Sequence, residues 1–90
     1  MKCVVLYHSA DDVASKAAAH FADHVAYYEP FAASGRLLMV GTFGDPQSQG
    51  AMAIFTSREA AEEFVERDPF VVHGVVRKVE LRDWDEALVP

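Results

Sequence analysis

The chain has one cysteine, few basic residues and no long apolar run. A single cysteine among 90 residues cannot form an internal disulfide, and no Cys-x-x-Cys pair suggests a zinc or redox motif. The 8 basic residues are outnumbered by 14 acidic ones, so the net charge is −6. The basic residues are scattered and form no cluster that could bind the phosphate backbone of a nucleic acid. No apolar run approaches the ~20 residues of a membrane span. We expect no nucleic-acid partner and no membrane insertion.

The first residues enter a strand pattern directly, without the charged, apolar and small-residue segments of a secretory signal. Cys3 lies in this apolar strand, where a buried, inert thiol is more typical than a nucleophile. A length of 90 residues corresponds to one small domain. We therefore expect residues 1–90 to form a single soluble, cytoplasmic domain.

Hydrophobic periodicity predicts six elements in the order β-α-β-β-α-β. They are strands over Lys2–His8, Arg36–Phe43, Gly50–Phe55 and Gly74–Trp84, and helices over about Val13–Ala33 and Thr56–Arg67. This order is the ferredoxin-like pattern of an α+β fold, in which a four-stranded antiparallel sheet carries two helices on one face.

Local signals mark the ends of both helices. The first helix has three candidate N-caps: Ser9, Asp11 and Asp12. Pro30 should kink this helix or end it a turn early, and Gly35 is a good stop. The second helix should open with a capping box from Thr56 to Glu59 and end at Asp68-Pro69.

Three of the four predicted strands are apolar on both faces, and 51% of the chain is hydrophobic. Two helices can cover only one face of the sheet, and a naked apolar face of several hundred Å² is not expected on a monomer. The simplest solution packs the open faces of two copies together. The sequence therefore predicts a homodimer.

One ionisable ring, His24, falls on the predicted buried face of the first helix, with Phe21 and Tyr28. Such a residue is either a satisfied core histidine or part of a site, and the residues alone leave both interpretations open. His20 lies one turn earlier, so an i, i+4 metal pair is conceivable. The pattern is not His-Glu-x-x-His and offers no obvious third ligand, so we expect no metal.

Two segments resemble the YciI-like (YCII-related) family. The segment from His24 to Gly41 has the family's helical histidine, a glycine eleven residues later and a strand that ends in small residues. The segment from Ser57 to Phe70 is similar to the family's second helix and its Asp-Pro-Phe turn. The resemblance covers nearly the whole chain. The family often ends its second strand with Gly-Pro, whereas this chain has Gly41-Thr42-Phe43, so we expect the pocket wall to differ there.

The resemblance implies a dimeric α/β barrel, in which two ferredoxin-like sheets pack face to face, and an active site built on a His–Asp pair. Carried onto this chain, the pair is His24 and Asp68. One type of member is similar to dehydrochlorinases that act on chlorinated hydroxyquinols.

Two hypotheses for the function follow. In the first, the chain is a cofactor-free enzyme for a small, for instance aromatic, compound. His24 is the general base or acid and Asp68 orients it. Without a serine or cysteine partner, the pair favours elimination, as in a dehydrochlorinase, or isomerisation over acyl transfer. Candidate substrate-binding residues are Tyr7, His8, Tyr28 and Phe70.

In the second hypothesis, the chain is a non-catalytic dimer that binds a small ligand or supports a pathway partner.

Overall fold

The β-α-β-β-α-β order is present in a computed structural model of residues 1–90, with two short helices added in the turns. The strands are β1 (Lys2–Ser9), β2 (Leu37–Thr42), β3 (Ala51–Phe55) and β4 (Val76–Trp84). The helices are α1 (Val13–Ala33), α2 (Pro46–Gln49), α3 (Arg58–Arg67) and α4 (Pro69–Val72). The sheet is antiparallel in the order β2-β3-β1-β4, so the predicted ferredoxin-like fold is confirmed.

Alternate residues of β1 point to opposite faces of the sheet, as the pleat requires. Cys3, Val5 and Tyr7 are buried beneath the helices, in register with Phe55 and Ala53 of β3 among others. This side is the helix-covered face. Burial raises the pKa of the Cys3 thiol, as expected of an inert core cysteine.

The opposite side of the sheet has no helix on it, and we call it the open face. Its apolar residues come from the three strands that were predicted to be apolar on both sides, and they are Val4, Leu6, Met39, Met52 and Ile54. None of the four helices combines the length and hydrophobicity needed to cross a lipid bilayer.

The start of α1 is capped from outside the helix. Asp12 occupies the N-cap position, with a left-handed backbone (φ 55°), but its side chain makes no capping hydrogen bond. The Val13 N–H instead donates to Gln47 Oε1 at 2.9 Å, and the Gln47 amide donates to the Ala10 carbonyl at 2.9 Å. Asp12, one of the three predicted candidates, is therefore the N-cap residue, but the capping oxygen comes from Gln47, because α2 brings this amide to the free N–H of Val13.

Pro30 does not end α1, which continues through Ala33. Phe31, next to the proline, is buried in the core and holds the last turn in place. The helix then ends as predicted at Gly35 (φ 82°), whose N–H donates to the Ala32 carbonyl at 3.0 Å. The Arg36 N–H donates to the Phe31 carbonyl at 3.2 Å, so the two bonds form a Schellman motif.

The N-cap of α3 is Ser57, and the predicted capping box on Thr56 is wrong by one residue. The Thr56 N–H still donates to the Arg36 carbonyl, which keeps Thr56 attached to the sheet edge. Ser57 Oγ accepts from the Ala60 N–H at 3.1 Å, so α3 begins one residue later than the pattern predicts.

Candidate active site

His24 and Asp68 meet between α1 and the junction of α3 and α4. The Nδ1 atom of His24 lies 2.8 Å from Oδ1 of Asp68. A carboxylate can only accept, so the Nδ1–H of the imidazole donates to it. The His24 side chain is 12% exposed and that of Asp68 is 1% exposed, so the contact is shielded from bulk water.

Asp68 is held by the turn that its own sequence creates. The residue before Pro69 is pushed out of the helical region, so Asp68 (φ −58°, ψ 122°) ends α3 and starts α4. Its Oδ1 accepts a second hydrogen bond, from the Phe70 N–H at 3.0 Å. One oxygen therefore caps α4 and binds His24, which fixes the direction of the carboxylate.

Two aromatic rings set the plane of the imidazole. Phe70 stacks on His24 with ring centroids 3.8 Å apart and planes 6° from parallel. Tyr28, one turn further along α1, meets His24 edge-on at 5.2 Å. With Nδ1 bound to Asp68, the ring nitrogen that remains is Nε2, and it has no hydrogen-bond partner within the chain.

A cavity of about 280 Å³ opens beside the His24 ring. Its wall from the helical side consists of Phe21, His24, Tyr28, Asp68 and Phe70, and its wall from the sheet includes Tyr7, Val40, Gly41, Thr42 and Ala51. Most of these residues are apolar, which is typical of small-molecule sites with a few convergent polar groups.

A second cavity of about 390 Å³ lies alongside the first, towards the N-terminal half of α1 and α2. The two cavities share lining residues from the sheet and α4, including Tyr7, Thr42 and Phe70. The polar side chains Ser9 and Gln47 in its wall already have partners, since Ser9 Oγ donates to the Pro46 carbonyl and Gln47 caps α1. The space that adjoins the His24 cavity is therefore mostly apolar.

Tyr7 contributes a buried phenol to the wall of the first cavity. Burial, and after it the negative charge of Asp68, raises the pKa of Tyr7 above its ordinary value. Its phenol therefore keeps its proton and can donate a hydrogen bond. The Tyr7 hydroxyl and the second oxygen of Asp68, Oδ2, are both buried and have no partner in the chain.

The sequence of residues 1–85 matches the YCII-related domain. The chain belongs to the YCII-related family. The resemblance predicted from His24, Gly35 and the Asp68-Pro69-Phe70 turn is thereby confirmed. No protein of curated function matches the chain in sequence.

Two solved structures share the fold of this YCII-related chain. One is the 5-chloro-2-hydroxyhydroquinone dehydrochlorinase TftG from Burkholderia phenoliruptrix AC1100, in complex with 2,5-dihydroxybenzoquinone, with a TM-score of 0.74 and 22% identity over 97% of this chain and 96% of that one. The other is SnoaB, a cofactor-independent oxygenase from Streptomyces nogalater, with a TM-score of 0.53 and 14% identity over 98% of this chain and 93% of that one. At these identities the likeness establishes the fold alone.

Five of the six predicted site residues of the YCII-related chain line the first cavity: Tyr7, His24, Tyr28, Asp68 and Phe70. The prediction that His8 joins them is not supported. His8 follows Tyr7 in β1, so its side chain points to the open face, where Nε2 lies 2.7 Å from Glu80 Oε1.

The apolar face of α1 is less buried than the periodicity of the sequence predicts, because part of this face lines the cavity. Phe21 is 57% exposed yet contributes to the cavity wall. Gly41 and Thr42, which replace the family's Gly-Pro, also line the cavity, so the departure noted in the sequence does fall on the pocket wall.

We call the His24–Asp68 pair the dyad. His20 is turned away from it and stacks on His73, with ring centroids 4.2 Å apart and planes 3° from parallel. No three histidine, cysteine or carboxylate side chains are grouped closely enough to hold a metal ion. The sequence offered no signal for this stacked pair, because its two members lie far apart in the chain and meet only when α4 packs against α1.

Proposed function

We propose that this YCII-related chain is a small-molecule enzyme in which His24 transfers a proton and Asp68 positions it. The observation that carries the proposal is the 2.8 Å contact between His24 Nδ1 and Asp68 Oδ1 in the wall of a cavity. A histidine that served only the core would bond through both nitrogens or lie in a closed cluster. Here the hydrogen bond of the ring is made by Nδ1, Nε2 has no partner in the chain, and the ring lines an opening.

The geometry suits a general base. The hydrogen bond to Asp68 favours the tautomer that carries its proton on Nδ1, so the lone pair lies on Nε2. The carboxylate also stabilises the imidazolium that forms when Nε2 accepts a proton. A base placed in this way contributes about 10²- to 10⁴-fold to the rate of a proton-transfer step.

The reaction class that fits is elimination or isomerisation. No serine or cysteine lines the first cavity, so a covalent acyl intermediate has no nucleophile of that type there. In an elimination, His24 takes a proton from the substrate, the freed electron pair forms a double bond, and the leaving group departs with its bonding electrons. The step is redox-neutral, so it requires no oxidant, reductant or cofactor.

The substrate we propose is a small hydroxylated aromatic compound. The His24 cavity is small, about 280 Å³, and Phe21, Tyr28 and Phe70 supply aromatic surface. The similarity to TftG, a dehydrochlorinase solved with 2,5-dihydroxybenzoquinone, supports the same substrate type.

We also propose that the enzyme is a homodimer in which two open faces pack together as a dimeric α/β barrel. The apolar residues of β1, β2 and β3 on that face lie side by side in adjacent strands, and no helix covers them. A second copy presents the same patch, so each copy can bury the apolar patch of the other.

The dyad is tested by turnover and by the tautomer of His24. With chlorinated hydroxyquinols as substrates, chloride release should fall about 10²- to 10⁴-fold in His24→Asn and substantially in Asp68→Asn. His73→Asn, which removes a histidine outside the cavity, is the matched control and should keep wild-type turnover. In ¹⁵N NMR spectra, His24 should carry its proton on Nδ1 in the wild type and shift to a mixture of tautomers in Asp68→Asn.

Wild-type turnover in His24→Asn would rule out the catalytic dyad. If the wild-type protein binds these compounds without converting them or exchanging their protons with solvent, the second hypothesis, a ligand-binding dimer, takes precedence.

A further inference from the structure

Two residues that line the His24 cavity each have a buried polar atom without a hydrogen-bond partner in the chain: the Tyr7 hydroxyl and Asp68 Oδ2. Tyr7 is 6% exposed and Asp68 is 1% exposed. Folded proteins satisfy most buried polar atoms, and each exception calls for an explanation such as a ligand, an ion or a catalytic role. Both exceptions of this chain line the same cavity.

The two atoms have complementary hydrogen-bonding capacity. The phenol of Tyr7 keeps its proton, because burial and the charge of Asp68 raise its pKa, so it is available as a donor. The Oδ2 atom of Asp68 belongs to a carboxylate, which only accepts. The other oxygen, Oδ1, already accepts from His24 and from the Phe70 N–H, so Oδ2 is the oxygen left for a ligand.

We propose that Tyr7 and Asp68 Oδ2 together bind one hydroxyl group of the substrate. Tyr7 donates to the oxygen of that hydroxyl, and Asp68 Oδ2 accepts its hydrogen. This inference rests on the proposed function and deepens it by assigning the group that anchors the substrate beside His24 Nε2. Asp68 then has two tasks, since Oδ1 positions His24 and Oδ2 positions the substrate.

Other small polar groups satisfy only half of the pair. A carbonyl or ether oxygen accepts from Tyr7 but has no hydrogen to offer Oδ2. An ammonium group donates to Oδ2 but cannot accept from Tyr7. A hydroxyl is the smallest ligand group that does both, so the pair selects for phenols or enols over their ethers.

The test compares a diol with its ether in the Tyr7→Phe variant. The probes are chlorohydroquinone and its dimethyl ether, whose affinities are measured by isothermal titration calorimetry. The wild type should prefer the diol. Tyr7→Phe should bind the diol about threefold to tenfold more weakly, the loss expected for one neutral hydrogen bond, while its affinity for the ether stays the same.

Tyr27→Phe is the matched control. The Tyr27 hydroxyl has a partner in the chain, the Phe64 carbonyl at 2.9 Å, and it does not line the cavity. Without ligand, Tyr7→Phe should unfold at the same temperature as the wild type or higher, because it removes an unsatisfied buried hydroxyl. Tyr27→Phe should lower the unfolding temperature and keep the preference for the diol.

An unchanged preference for the diol in Tyr7→Phe would overturn the proposal. It would indicate that water, and not the substrate, binds the Tyr7 hydroxyl and Asp68 Oδ2. An equal loss for diol and ether would also overturn it, since Tyr7 would then only shape the cavity. These outcomes concern binding, so they differ from a failure of the dyad, which appears as wild-type turnover in His24→Asn.

Discussion

The two faces of the sheet use the same strands but are covered in different ways. On the helix-covered face, Val5 and Phe55 are fully buried beneath α3 and the end of α1. One residue away in each strand, Val4 and Ile54 on the open face stay partly accessible, and Met39 in β2 is 66% exposed. Neighbouring residues of similar hydrophobicity thus have different environments, because only one side of the sheet is covered by helices.

The polar groups of the two faces also differ. The helix-covered side holds the dyad, with its shielded carboxylate and apolar cavity. The open side holds a partly exposed cluster on its β4 border, where Glu80 contacts His8 and Arg82 at 2.7 and 2.8 Å. The hydrogen bond to His8, followed by that to Arg82, lowers the pKa of Glu80. The proposed catalytic pair and the proposed dimer interface therefore lie on opposite sides of one sheet.

Removing the centre of the helical cover should have the largest effect on stability. Phe64 of α3 is fully buried against Phe31, Phe55 and Tyr27, with ring centroids about 5 Å apart. Phe64→Ala should lower the free energy of unfolding by about 3–5 kcal/mol through lost burial and a cavity. Small domains have about 5–15 kcal/mol in total, so the variant should be close to unfolding in urea titrations.

Met39→Ala is the matched truncation on the open face. In dilute protein, where copies are separate, it should change the free energy of unfolding by no more than about 0.5 kcal/mol, since the side chain is mostly exposed. A similar cost for the two truncations would contradict the division of the sheet into a covered and an uncovered face.

A charge on the open face should break the proposed dimer and leave the fold intact. Met39→Asp places a carboxylate on the exposed side of β2, so a separate copy should keep its stability and spectrum. Association should weaken by about 2–4 kcal/mol, which is about 30- to 1000-fold in Kd, because the charge would be buried between copies. Sedimentation velocity measures both species. A wild-type chain that sediments as a monomer at all concentrations would contradict the paired-sheet arrangement.

The elements and the dyad could be predicted because the signals are local or belong to the family pattern. Periodicity gave the order of strands and helices, and the turn of Asp68 before Pro69 follows from the geometry of that dipeptide. The pairing of Asp68 with His24 came from the resemblance to the family. No periodicity argument joins residues 44 positions apart.

What could not be predicted depends on the third dimension. β1 is apolar on both faces, so alternation cannot tell which face the helices cover, and the placement of His8 was open for that reason. The Gln47 side chain caps α1 from a turn that is distant in sequence. The orphan Tyr7 hydroxyl becomes recognisable only once the surrounding side chains are in place.

The smallest expected effect on stability comes from removing the N-cap of α3, one of the helices that cover the sheet. Ser57 Oγ accepts from the Ala60 N–H, so Ser57→Ala should cost about 1 kcal/mol of unfolding free energy, measured by urea denaturation. Thr56→Ala should have a much smaller effect, because the Thr56 contact with Arg36 is made by its backbone. Neither change touches the open face, so association should be unchanged in both. The reverse order of the two costs would restore the capping box on Thr56 and shift the start of α3 by one residue.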